Sequence, residues 1–322
     1  KNYSISPEDI SVLIKSHYAY LMQAFYESQS FFLCSIYKRH KSIETANIIL
    51  SFARNIHLSI IRQREKDLNF NVSLEQFWKN FHSIDKPSEK IMSIVEITGI
   101  PKETVRRKIK NLMDGGFLIK EKKNKGYSLN LYDKDLFYNS VNNETKNLSL
   151  FISKIAKSLS TFPKQKEILI EKEIYSQFSF YWYHYLSCQL EWLKWWQLKL
   201  KDNDLLLIAL QAIVPTLKFI DKNVGEINQD NVFKVIGQVD KNECKTCSVS
   251  ATSVADITGI PRATCIRKLE KLVFLGFLVR EEKTKRYSVN QSTDARTKNI
   301  MSKDNVIFTI KTFSDYIAII LN

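Results

Sequence analysis

The stretch SIVEITGIPKETVRRKIKNLMDGGFLIKEKKNKGYSLN, Ser93 to Asn130, returns later in the chain as SVADITGIPRATCIRKLEKLVFLGFLVREEKTKRYSVN, Ser253 to Asn290. The two align without a gap and are identical at half of their positions, which predicts one supersecondary unit present twice through duplication. In each copy a short apolar helix (Ile94, Val95 and Ile97; Val254, Ala255 and Ile257) runs into Thr-Gly-Ile-Pro. Gly99 and Gly259 can take the positive φ that closes a helix, and Pro101 and Pro261 suit the start of the next. That next helix, Lys102 to Asp114 or Arg262 to Phe274, has a buried stripe at Val105, Ile109 and Leu112, matched by Cys265, Leu269 and Leu272. Its other face carries Lys102, Glu103, Arg106, Arg107 and Lys110, against Arg262, Ala263, Ile266, Arg267 and Glu270. After Gly116 and Gly276, Phe117 to Lys120 with Tyr127 to Leu131, and Phe277 to Arg280 with Tyr287 to Val289, read as two-stranded hairpins. Their basic tips hold Lys122, Lys123 and Lys125, and Lys283, Lys285 and Arg286, placed to meet phosphates.

Helix, turn, helix and wing in this order resemble the winged helix-turn-helix modules of bacterial MarR-type and Crp-type transcriptional regulators, over the length of both copies. The resemblance implies that Lys102 to Asp114 and Arg262 to Phe274 are recognition helices entering the major groove of duplex DNA. Lys102, Glu103, Thr104, Arg106, Arg107, Lys110, Arg262, Thr264, Ile266 and Arg267 are then the contact residues. Arg106 and Arg107 are expected to contact guanine on one side, while Arg262 and Arg267 act on the other, with Ile266 on a thymine methyl. No cyclic-nucleotide domain of the Crp kind precedes the first copy.

Charge agrees with this reading. The chain has a net charge of +14, which calls for an anionic partner, and the two copies hold 17 Lys plus Arg against 8 Asp plus Glu. Assembly through protein contacts is the alternative use of the same module.

Aromatic-rich helices precede both copies at the same offset: Tyr18 to Tyr37 with Phe25, Phe31 and Phe32, and Phe178 to Trp196 with Trp182, Tyr185 and Trp192. The duplication is therefore expected to span the chain, with a first half 1–161 (winged helix about 88–131) and a second half 162–322 (winged helix about 250–290). Ser158 to Gln165 is the expected connection, and Asp304 to Leu321 a closing helix matching Leu148 to Leu159. The fold class is mainly α with small β wings, two winged halves arranged as a pseudo-dimer, each with its own core. Flanking helices supply the dimer interface in MarR-like proteins, so a monomer imitating a dimer is expected here. The aromatic stripes have two readings, a pocket for an apolar effector and plain core packing, and packing is favoured.

Hydrophobic content of 44% argues against disorder. Five scattered cysteines argue against a disulfide framework and for a reducing compartment. Neither a secretory signal nor a convincing membrane span is visible, since Ile174 to Leu190 is uncharged but polar, and the expected location is the cytoplasm. Cys244 and Cys247 form a lone CxxC, and His184 with Cys188 a lone helical pair, neither of which makes a metal site. With no nucleophile elbow, phosphate loop or HExxH, no enzyme and no cofactor are expected. The function expected is a sequence-specific, double-stranded-DNA-binding transcriptional regulator reading two non-identical half-sites. The alternative is a plasmid-type replication initiator or a winged-helix scaffold.

Overall fold

The computed structural model describes residues 4–122, 125–130, 134–167, 169–238, 247–290 and 303–322. Helix α1 (Pro7–Ser16) starts at a capping box, in which the Ser6 hydroxyl accepts from the Asp9 amide and the Asp9 carboxylate accepts from the Ser6 amide. Helix α2 (Tyr18–His40) ends on Lys41 in the left-handed region, and Ser42 caps α3 (Ile43–Lys66). Then come α4 (Leu74–Lys79), α5 (Ile91–Thr98), α6 (Lys102–Asp114), strands β1 (Leu118–Lys120) and β2 (Tyr127–Leu129), and α7 (Lys134–Ser158). The chain continues with α8 (Lys164–Glu167), α9 (Ile170–Ser176), α10 (Phe178–Leu200) and α11 (Asp204–Asn223). It closes with α12 (Gln229–Gln238), α13 (Ala251–Thr258), α14 (Arg262–Phe274), β3 (Leu278–Arg280), β4 (Tyr287–Val289) and α15 (Lys303–Leu321). The protein is mainly helical with two small antiparallel sheets, as the sequence predicts. The closing helix is present, and α7 is longer than the expected Leu148 to Leu159.

Helices α2 and α10 carry aromatic and aliphatic residues around most of their circumference, so each must be buried on several sides. They achieve this by crossing between the halves: α2 packs most extensively on α11, and α10 on α3. Phe25 meets Trp192 edge-on at 5.8 Å, and Phe32 meets Tyr185 at 5.5 Å. The terminal helices cross in the same way, α1 against α15 and α7 against α9. One contiguous apolar cluster results, drawing on residues from Ile5 to Leu321. The expectation of a separate core in each half is thus replaced by a shared one, because a long helix apolar on several sides cannot be covered by its own half alone.

Among the described residues no single helix is long and apolar enough to cross a membrane; α10 and α11 reach that composition only as a pair bent by 101°.

Candidate nucleic-acid interface

The turn between α5 and α6 is built by four residues. Gly99 sits at φ 69 and its amide donates to the Val95 carbonyl over 2.9 Å, a conformation open to glycine at little steric cost. The Thr98 hydroxyl donates to the Ile94 carbonyl at 2.7 Å and accepts from the Ile100 amide at 3.3 Å, and Pro101 leads into α6. At the turn between α13 and α14, Gly259 sits at φ 75, Thr258 bonds Val254 at 2.7 Å and Ile260 at 3.2 Å, and Pro261 follows. The hairpins agree as closely. Leu118 pairs with Leu129 and Leu278 with Val289, while the Asn130 and Asn290 side-chain amides donate to the Gly116 and Gly276 carbonyls, each over 2.9 Å. Each hairpin gains a bridge from the segment before its first helix, Glu89 to Tyr127 and Val249 to Tyr287.

On α6, Val105, Ile109 and Leu112 are buried, and Lys102, Glu103, Arg106, Arg107 and Lys110 are exposed, with Thr104 half-buried. Arg106 is paired with Glu103 at 2.8 Å. Lys122 and Lys125 are exposed between β1 and β2, Lys125 at φ 54; Lys123 lies outside the described residues. On α14, Arg262 and Arg267 are exposed, whereas Thr264 and Ile266 are half-buried and Ile266 packs on the core. Arg262 donates to the Thr252 hydroxyl at 3.1 Å. Lys283 and Lys285 are exposed, the latter paired with Glu282 at 2.9 Å. Arg286 is not a projecting tip: its guanidinium folds back onto Ser248, 2.8 Å from the hydroxyl and 2.5 Å from the carbonyl.

The residues that aim the two helices are not among those the sequence singles out. On the inner side of α6, the Lys108 ammonium reaches Ser42 at 3.0 Å, Thr45 at 3.1 Å and Glu44 at 3.4 Å, at the start of α3. Its counterpart on α14, Lys268, reaches Asp202 at 2.6 Å and Asp204 at 3.3 Å, at the start of α11. These two helix starts touch each other, the Ile43 amide donating to Asp204 over 3.1 Å, and Gln197 near the end of α10 donates to Glu44 over 3.1 Å. Burial pushes the Asp204 carboxyl up, while Lys268 and the Ile43 amide pull it down. Both outward-facing helices therefore hang from one junction at the same end of the bundle. The sequence does hold a clue, since Glu44 and Asp204 stand at equivalent acidic positions of the two halves, as Lys108 and Lys268 do at basic ones. The turns are seated across the halves as well. A side chain at Gly99 would meet Lys194 and Leu198 of α10, and one at Gly259 would meet Lys38 of α2.

Two apolar cavities occupy matching places. One is lined by Ile49, Ala53, His57 and Leu129 with Trp182 and Leu186, the other by Ala209, Ile213, Leu217 and Phe277 with Tyr26 and Leu272. Among the described residues no group of three or more His, Cys, Asp or Glu could hold a metal ion. His184 lies edge-on to Phe180 at 4.8 Å, and the Cys188 thiol is buried 3.6 Å from the Thr312 carbonyl. Cys34, Cys188 and Cys265 are free and buried, Cys247 is disulfide-bonded, and Cys244 lies outside the described residues. No protein-family model, curated protein or solved structure matches the chain.

Proposed function

We propose that the chain is a sequence-specific, double-stranded-DNA-binding transcriptional regulator, in which two winged helix-turn-helix modules arisen by duplication form a pseudo-dimer. The observation that carries this reading is that both outward basic helices are fixed to one junction by the same lysine, Lys108 or Lys268. A pair of recognition helices so fixed suits successive major grooves, about 34 Å apart along the duplex. Support also comes from the form of the contacts, in which residue i meets j and j meets i, the pattern of a two-fold interface. Phe25 with Trp192 and Phe32 with Tyr185 are such a reciprocal pair, each residue of one contact being the duplicate of a residue in the other.

Because Arg106, Lys110 and Glu103 correspond to Ile266, Glu270 and Ala263, the two half-sites differ and the target is an imperfect palindrome. The purified chain is a monomer in this scheme. The matching apolar cavities, each touching its own module, offer an effector a place from which to tilt that module.

In vitro selection from random duplex DNA at near-physiological salt tests the proposal. Two unlike half-sites about one helical turn apart support it. A perfectly symmetric site, or a stable homodimer in light scattering, contradicts the asymmetric pseudo-dimer. Equal binding to all sequences points to an architectural role, and no binding to a protein scaffold. Selection of iterated origin-like repeats favours a replication initiator.

A further inference from the structure

The two modules share a backbone and differ in how their charges are spent. On the second, Glu270 of α14 pairs with Arg280 of β3 at 2.8 Å and accepts from the Tyr287 hydroxyl of β4 at 2.6 Å. One carboxylate thereby neutralises a cation and ties the wing to the helix. The equivalent positions of the first module are Lys110, Lys120 and Tyr127. Lys110 and Lys120 are both exposed, and neither ammonium has an ion-pair or hydrogen-bond partner among the described residues. Lys110 and Lys120 occupy the positions equivalent to the paired Glu270 and Arg280, on elements that pack together, and two ammonium groups so placed repel each other and favour an anion between them.

The rest of each surface follows the same division. In the first module Lys102, Arg107 and Lys122 are exposed without an acidic partner among the described residues. In the second, Arg286 folds onto Ser248 and Lys285 is paired with Glu282, while Lys268 and its equivalent Lys108 are tied to acids in both modules and do not distinguish them.

We infer that the modules are unequal in binding DNA: the first is the electrostatic anchor, seating a backbone phosphate between Lys110 and Lys120, and in the second Glu270 closes that seat. This rests on the DNA reading and deepens it. The first module supplies most of the salt-dependent affinity. The second contributes mainly through base contacts of Arg262 and Arg267.

The test is the salt dependence of binding of the full chain to its selected duplex, with thermal melts verifying that each variant is folded. Replacing both Lys110→Ala and Lys120→Ala lowers the log–log salt slope by about two and weakens binding roughly tenfold at low salt. Glu270→Lys rebuilds the open seat and frees Arg280, steepening the slope by about two and tightening binding several-fold. Glu270→Gln frees Arg280 alone and steepens the slope by about one. If Glu270→Lys leaves slope and affinity unchanged, or if Arg280→Ala flattens the slope as much as Lys110→Ala does, the inequality is overturned while the DNA reading stands. If the wild-type chain binds no duplex at all, both fall.

Discussion

Phe25 of α2 meets Trp192 of α10 edge-on at a centroid distance of 5.8 Å, and Trp192 also donates from its indole nitrogen to the Thr309 hydroxyl at 3.1 Å. The contact joins residues from opposite halves of the chain, and Phe32 with Tyr185 repeats it with the roles exchanged. Since α2 and α10 are each covered by helices of the other half, neither half keeps its core if the other opens. Urea denaturation is expected to show one transition, coincident by far-ultraviolet dichroism and tryptophan fluorescence. Phe32→Ala and Trp192→Ala should each lower stability by about 3–5 kcal/mol without splitting it. Two resolved transitions in the wild-type chain would mean independent halves.

The junction at Asp204 is the next point of leverage. Its carboxylate accepts from the Ile43 amide and holds Lys268, so one side chain binds α3, α11 and α14 together. Asp204→Ala strands the Ile43 amide and leaves the Lys268 ammonium to Asp202 alone, and is expected to cost about 1–3 kcal/mol. Asp204→Asn keeps an acceptor for the amide and should cost less. Equal losses for the two variants in chemical denaturation would show that the amide bond contributes little.

Glu89 gives a pH prediction. Its Oε1 accepts from the Asn55 side chain at 2.5 Å, its Oε2 is buried without a partner, and burial pushes the carboxyl from 4.5 up to about 7. An acid whose folded pKa lies above its unfolded value stabilises the fold below the unfolded value and loses that contribution as pH rises through the folded one. The window is therefore about pH 4.5 to 7. Glu89→Gln, neutral at every pH, should gain stability relative to wild type across this window, by up to about 3 kcal/mol. A difference in melting temperature that stays constant from pH 5 to 8 would show that Glu89 does not titrate there.

What the sequence makes legible follows from which interactions are local. Helices 102–114 and 262–274 are readable to the residue because a left-handed glycine, a proline and an i, i+4, i+7 stripe lie close together in the chain. The crossing of α2 onto α11 is not, because burial around most of a helix says that it is covered and leaves open by what. The side-chain pairings of Glu270 and Arg286 are hidden for a related reason. Both residues read as solvated or DNA-facing until the third dimension brings Arg280, Tyr287 and Ser248 beside them. The full length of α7 from Lys134 onward is not legible either, because its N-terminal part is polar and lacks a continuous apolar stripe.

If the chain binds DNA as proposed, the exposed arginines and the hairpin lysines should divide base reading from phosphate binding. Arg106 and Arg107 of α6 are both exposed, the first held by Glu103, whereas Lys122 and Lys125 sit between β1 and β2. A guanidinium on a base edge discriminates among bases, and an ammonium near a phosphate does not. Arg107→Ala should cost about 1–3 kcal/mol on the selected site and relax sequence preference at one position of one half-site. Lys122→Ala and Lys125→Ala should weaken selected and scrambled duplexes alike and lower the salt slope by about one each. Ile266, half-buried against the core, has little side chain left to present to a thymine methyl, so Ile266→Val should change preference by less than either arginine does. Competition titrations against single-position site variants measure all of these. A uniform loss from Arg107→Ala across every variant would move that residue from the base edges to the backbone.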